Sequence, residues 1–339
     1  MHKQAIAQML KYSFIIPVYN RPDEVDELLK SLLEQDFDGF DITIVEDGSA
    51  NSSKSVVDKY ASRLDIHYVE QPNMGPSLAR NNGASQAKGE YFIFIDSDVI
   101  VPSGYLKAID KALSERDLQC FGGPDASHPS FSPIQKAISH SMTSVLTTGG
   151  IRGKKEKMDK FYPRGFNVGV QRDAFMKVGG YADMRFGEDM DFSMRLIESG
   201  FKTGLIKDAF VYHKRRTSFK AFFKQVYNSG IARINLEKRH RGTLKMVHLL
   251  PACFFLGNIL LIALCCFFPL MLCVLALPAI AFFVDALVAT KSVKVALLTV
   301  AASYVQLMGY GCGFCDCFVN RIILHKGEYG RFVKNFYKK

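Results

Sequence analysis

Two carboxylates, Asp96 and Asp98, stand one residue apart at the end of an apolar run, Tyr91 to Ile95, in the segment YFIFIDSDV. Acids at alternate positions leaving a strand can send two oxygens to one hard cation, and a divalent ion with open positions is what a diphosphate leaving group needs. The same residues also suit a strand-end turn, since Asp and Ser favour turns. Chemistry placed just after an apolar run recurs along the chain. Glu46, Asp47 and Gly48 close DITIVEDGS, and His213 follows a short run in VYHKRR. Neutral imidazole is a common metal ligand, although a lone histidine more often serves structure. Glu188, Asp189 and Asp191 cluster in FGEDMDFSMRLIESGF, opening a helix whose dipole such acids also suit.

These residues need elements to hold them. A run as apolar as Tyr91 to Ile95, rich in β-branched and aromatic residues, reads as a buried strand, and in open α/β sheets ligands sit beyond the carboxyl ends of strands. In YSFIIPVYNRPDE, Phe14 to Val18 predict another strand. Pro22 with Asp23 and Glu24 then opens a helix whose apolar face is Leu28, Leu29, Leu32 and Leu33. In NMGPSLARNNGA, Asn73 and Gly75 mark a turn, and Pro76 suits the first position of a helix carrying Arg80. Arg80 alone also reads as a solvated surface arginine. The result is an α/β domain over residues 12–245, after a lead-in of residues 1–11, with one mixed, mostly parallel, Rossmann-like sheet and helices on both faces. The stretch Gly122 to Tyr162, rich in Ser, Thr, Gly and Lys, reads as less regular. We expect Lys154, Lys155 and Lys157 in it to lie near phosphates of lipid or substrate; a solvated basic loop is the plain alternative.

Taken in this order and spacing, the segments resemble the inverting family 2 glycosyltransferases of the GT-A fold, from about Tyr12 to about Gly230. The resemblance includes RGFNVGVQRDAFMKVGGYADMRFGEDMDFSMRL, which is similar to that family's acceptor-side region. It implies that Pro17, Val18 and Tyr19 line the nucleotide base and ribose, that Asp47 reads the base, and that Asn73 belongs to the same donor side. Glu46 stands where many members have Asp. Arg80 matches a basic residue near the diphosphate, where a planar fork can pair phosphate oxygens. Asp98 matches the direct metal ligand of the family's DxD pair, Asp96 the acid directed toward the ribose and metal-bound water, and His213 a histidine that completes the metal site. The implied cofactor is Mn²⁺ or Mg²⁺. Asp189 matches the catalytic base of the family's ED motif, with Glu188 beside it as a positioning or acceptor-binding acid. The implied reaction is inverting transfer from a nucleotide sugar, with Asp47 pointing to a UDP-sugar, to a hydroxyl of a glycan or polyprenyl-linked lipid. Processive relatives carry QxxRW after this region; FFKQVYNSGIARINLEKRH has none and the chain has no Trp, which favours addition of one or a few sugars. Two other readings compete: a nucleotidyltransferase, against which the absence of a glycine-rich nucleotide loop speaks, and a non-catalytic module that binds nucleotide sugars or glycans, which would need no base.

The last third of the chain is a different material. Val247 to Ala289 is nearly unbroken apolar sequence with Asp285 its one charge, and Val295 to Val319 is a second stretch with Asp316 near its end. At about 20 residues per helix this predicts about three spans within residues 246–320, two of them meeting near Pro269, then a basic tail over 321–339. Gly309, Gly311 and Gly313 lie in the second stretch, where glycine eases helix packing. The net charge of +10 gathers in runs such as EKRHRGTLK just before the first span, which places the catalytic domain in the cytoplasm at an inner membrane and suggests membrane lipids as partners, with no nucleic acid. With three spans the tail would lie outside, yet it carries Arg321, Lys326, Arg331, Lys334, Lys338 and Lys339. One apolar segment is then re-entrant or interfacial, or the charges near the first span prevail. Seven of the eight cysteines fall in this apolar third, which leaves no disulfide framework and agrees with a reducing compartment.

Overall fold

The structure, a computed structural model, describes residues 10–149 and 161–332. Its strands in chain order are β1 (Tyr12–Val18), β2 (Phe40–Asp47), β3 (Ile66–Gln71), β4 (Tyr91–Ile95), β5 (Val99–Ile100), β6 (Cys120–Gly122), β7 (Asp125–Ala126), β8 (Asn167–Gln171), β9 (Thr203–Leu205) and β10 (Val211–His213). The helices are α1 (Pro22–Leu32), α2 (Lys54–Tyr60), α3 (Pro76–Gln86), α4 (Tyr105–Glu115), α5 (Pro133–Thr143), α6 (Val145–Thr148), α7 (Arg172–Lys177), α8 (Glu188–Glu198), α9 (Phe219–Arg239), α10 (Leu250–Cys265), α11 (Met271–Thr290) and α12 (Val293–Phe318).

Residues 10–126 and 161–213 make one compact unit, and residues 127–149 and 214–332 another. In the first, seven strands form a sheet in the order β3-β2-β1-β4-β8-β6-β9. Its pairings are parallel except where β8 runs against β4 and β6. The central strands read as continuous apolar runs because both of their faces are buried. Phe14, Ile16, Ile93 and Ile95 pack with Leu28 and Leu29 of α1 on one face. Ile15, Phe92 and Phe94 pack with Val168, Phe175 and Phe192 on the other. The chain leaves β1 toward β2 on one side while β4 lies on the other, so the ends of β1 and β4 flank the switch point where sheets of this kind bind ligands. A second, three-stranded sheet has the order β5-β10-β7, and in it His213 pairs in register with Val99. That pairing carries His213 to the residue next to Asp98.

In the second unit, α5, α9 and α12 share a small core of Ile138, Met142, Phe222, Val226 and Ala302. The glycines of α12 allow backbone to touch backbone: a Cβ at Gly313 would lie 2.0 Å from the Tyr227 carbonyl oxygen, and one at Gly311 2.3 Å from that of Pro251. This is the close packing expected of those glycines. Part of the stretch expected to be irregular is helical. Ser132 and Gln135 form a capping box at the start of α5, with Gln135 N–H donating to Ser132 Oγ at 3.3 Å and Ser132 N–H donating to Gln135 Oε1 at 3.0 Å. Lys154, Lys155, Lys157 and the tail lysines from Lys334 onward lie outside the described residues.

Where three spans are expected, two helices among the described residues are long and apolar enough to cross a membrane, the 20-residue α11 and α12 with its extension to Ile323. Helix α10 has 16 residues, about 24 Å at the α-helical rise and short of a hydrocarbon core of about 30 Å. The turn around Pro269 ends it early.

Candidate active site

Arg80 sits on α3 behind the end of β4, and its side chain is 4% exposed. Its Nη2 donates to Asp96 Oδ1 at 2.9 Å and its Nη1 to Glu188 Oε1 at 3.1 Å, while its guanidinium lies over the Tyr181 ring, 5.3 Å from the centroid. Burial works against the Arg80 charge, but the two carboxylates outweigh it and hold the guanidinium charged. For Glu188 the balance falls the other way. Burial raises its pKa, and although Arg80 pulls it down, Asp189 adds to the rise, so the carboxyl stays above its ordinary range. Arg80 is thus committed to two acids rather than presented to open solvent. It ties the first turn of α8, with Glu188, Asp189 and Asp191, to the end of β4.

Asp189 is held by the backbone. Gly165 N–H donates to its Oδ2 at 3.2 Å and Met190 N–H to its Oδ1 at 2.8 Å. A Cβ at Gly165 would lie 3.3 Å from Asp189 Cβ and 3.5 Å from Arg80 Nη2, so a bare backbone at 165 lets these groups close up.

Asp98 faces a different set. Arg21 Nη1 donates to its Oδ2 at 2.8 Å and also to Glu24 at 2.7 Å, and His213 Nε2 lies 3.2 Å from its Oδ1. The His213 ring stacks on Phe166 at 4.9 Å between centroids, which fixes its plane. Asp96, Asp98 and His213 offer one ligand atom each within 4.8 Å of one another. Two hard carboxylate oxygens and an imidazole nitrogen, close enough to share one ion, fit Mn²⁺ or Mg²⁺ with positions left open.

At the end of β2 the acids organise backbone. Asp47 accepts from Gln71 Nε2 at 2.7 Å and from the N–H groups of Met74 and Gly75, each at 2.8 Å, and Asn73 Nδ2 donates to the Asp47 carbonyl at 2.9 Å. Gly48, at φ +70°, comes so near the same turn that a Cβ there would lie 2.5 Å from Asn73 N. Glu46 accepts from Ser53 N–H at 2.7 Å, at the start of α2, and from Tyr68 OH at 3.0 Å, with Ser49 Oγ as a further donor. Of Pro17, Val18 and Tyr19, Val18 is in the core at 1% exposure and Tyr19 is the exposed one.

The structure therefore gathers Arg80, Asp96, Glu188 and Asp189 on one side and Asp98 with His213 on the other, while Asp47 and Asn73 form a separate clamp. Arg21, Gly165, Phe166 and Tyr181 enter the site without having been singled out. Arg21 alone had a readable signal, a charge between a strand end and the helix-opening Pro22.

Residues 13–179 match the family described as glycosyl transferase family 2. This segment of the chain belongs to that family. Over 103 residues, 29% of this chain and 18% of the relative, it is 37% identical to the poly(ribitol-phosphate) β-N-acetylglucosaminyltransferase TarS of Staphylococcus aureus. Over 117 residues, 34% of this chain and 38% of the relative, it is 33% identical to the GalNAc(5)-diNAcBac-PP-undecaprenol β-1,3-glucosyltransferase of Campylobacter jejuni. The matched part thus spans well under half the length of either relative. Among solved structures, a mannosyltransferase from Pyrobaculum calidifontis, in complex with GDP-Man and Mn²⁺, superposes with a TM-score of 0.66 at 17% identity, covering 90% of this chain and 87% of that one. The glycosyltransferase domain has the mixed, mostly parallel GT-A sheet expected from its sequence.

Proposed function

We propose that this glycosyltransferase moves a sugar from a nucleoside diphosphate sugar to an acceptor hydroxyl in one displacement that inverts the anomeric centre. The observation that carries the reading is the double pairing of Arg80, because it fixes Asp96, on the cation side, relative to the acids that open α8. Asp96, Asp98 and His213 would hold a divalent ion, and neutralisation of the charge on the departing diphosphate is the chemistry such an ion supplies when bound. Asp47 and Asn73 shape the turn that opens α3, and we assign base recognition to this clamp and to Tyr19, with a UDP-sugar as donor. Asp189, oriented by the Gly165 and Met190 N–H groups, takes the acceptor proton. Glu188, paired with Arg80, positions the acceptor side. A single displacement on an α-linked donor yields a β-glycoside, by analogy with inverting hydrolases. The names of both sequence relatives specify β transfer, which supports this stereochemistry.

For the acceptor we propose a polyprenyl-linked glycan at the cytoplasmic face of the inner membrane, since the second unit carries helices long and apolar enough to enter a bilayer and one relative acts on an undecaprenol-linked glycan. The test is transfer from isotope-labelled UDP-sugars to a polyprenyl diphosphate glycan with Mn²⁺ present, with the new linkage read by NMR. A β-linkage supports the reading and an α-linkage overturns it.

A further inference from the structure

The second unit contains a segment that the transfer reaction does not use. From Leu249 to Val284 there is no charged residue, and this stretch folds as α10, a turn at residues 266–270, and α11. Its outward side chains are large and apolar: Leu260, Phe267, Leu270, Leu272 and Leu277 are each at least 59% exposed. Water would leave this surface uncovered, whereas hydrocarbon would cover it without any polar group to satisfy.

Both ends of this hairpin are fastened to the same layer of helices. At the α10 end, Ala252 joins a cluster with Ile231 and Ile234 of α9 and Phe314 of α12. At the α11 end, Asp285 accepts from Ser144 Oγ at 2.7 Å and lies 2.9 Å from His140 Nε2; His140 is on α5, which packs on α9. Helix α9 carries Lys220, Lys224, Arg233, Glu237, Lys238 and Arg239, too many charges for a span, so the layer it belongs to is aqueous or interfacial.

Helix α12 does not leave that layer. Its later half is seated on α9 through Gly313 and Phe314, and the chain beyond it is bonded back to α9. Asn235 Nδ2 donates to the Tyr329 carbonyl at 3.3 Å, Asn228 Oδ1 accepts from Arg331 N–H at 2.9 Å, and Arg239 pairs with Glu328 at 3.1 Å. A helix whose far end is tied to a charged helix has not carried the chain across a bilayer, however apolar its composition.

We infer that α10 and α11 form a hairpin that enters and leaves the lipid bilayer on the catalytic side, that Phe267 to Leu270 form its deepest point, and that α12 lies with α9 without crossing. The number of crossings is then even, and the C-terminal segment shares a side with the glycosyltransferase domain. The charges of Arg321, Lys326 and Arg331 then fall on the side where positive residues collect, which removes the conflict that three spans create.

The test uses the full chain with a different protease-removable tag at each end, reconstituted into sealed vesicles of phosphatidylethanolamine and phosphatidylglycerol and treated with protease from outside. An even count predicts that each molecule loses both tags or neither, whichever way it inserted. Molecules that lose one tag alone would overturn the proposal, because an odd count leaves one end on each side. Release of the chain from the vesicles by alkaline carbonate would overturn it too, since a hairpin buried in hydrocarbon resists that extraction.

Discussion

Asp96 and Asp98 come from one strand end, with only Ser97 between them, yet their surroundings differ. Asp96 is anchored from behind by a buried arginine whose second arm holds Glu188, and its own side chain is 33% exposed. Asp98 is 10% exposed and is approached by Arg21 on one oxygen and His213 on the other. On the Arg80 side, charge is fixed inside the protein and sets geometry. On the His213 side, a carboxylate, an imidazole and a nearby arginine make a set that can exchange partners with a cation. Identical side chains thus meet different partners, although each offers an oxygen to the same candidate cation site.

The sharpest way to break this contrast is Asp98→Asn. It should abolish Mn²⁺ binding while the fold persists, because it removes a charged ligand, so the free-ion paramagnetic signal that the wild type depletes in a titration should remain. Unchanged Mn²⁺ binding would place the metal elsewhere. Asp189→Asn comes next and should lower turnover by about two to four orders of magnitude with donor affinity nearly intact, the usual worth of a positioned base. A collapse of donor affinity in that variant would move Asp189 to the donor side. Arg80→Met leaves Asp96 and Glu188 without their shared partner, a loss of about 3–5 kcal/mol for a broken buried pair, which a lowered thermal midpoint would report. An unchanged midpoint would reduce Arg80 to a bystander.

The smallest effect concerns pH. The folded state holds the Glu188 proton at pH values where the unfolded chain has already released it, so this group's contribution to stability declines as pH rises above the ordinary carboxylate value. Glu188→Gln should flatten that part of the stability profile in thermal scans at stepped pH. A profile that keeps the wild-type slope would show that Glu188 is not held protonated.

Much of the fold is legible in sequence because parallel strands buried on both faces must be apolar throughout, as Phe14–Val18 and Tyr91–Ile95 are. The sheet's reversal at β8 is not, because a strand's direction leaves no mark in its composition. Asp96, Asp98 and Glu188 stand out by type and spacing. What joins them does not: Arg80 meets Glu188 across 108 residues, and the register of His213 against Val99 exists only once β5 and β10 pair. Helix α5 had a local signal, Ser132, Pro133 and Gln135 at capping-box spacing, but the Ser and Thr content of its surroundings hides it. Three spans are the natural count from hydropathy, since length and composition cannot show that α12 rests on a charged helix.

The most direct test of the central claim, a donor site built on a divalent cation, is calorimetric titration of the full chain with a panel of nucleoside diphosphates, with and without Mn²⁺. One base, uracil, should bind, and its binding should require the metal. Metal-independent binding, or no binding of any nucleotide by folded protein, would contradict it.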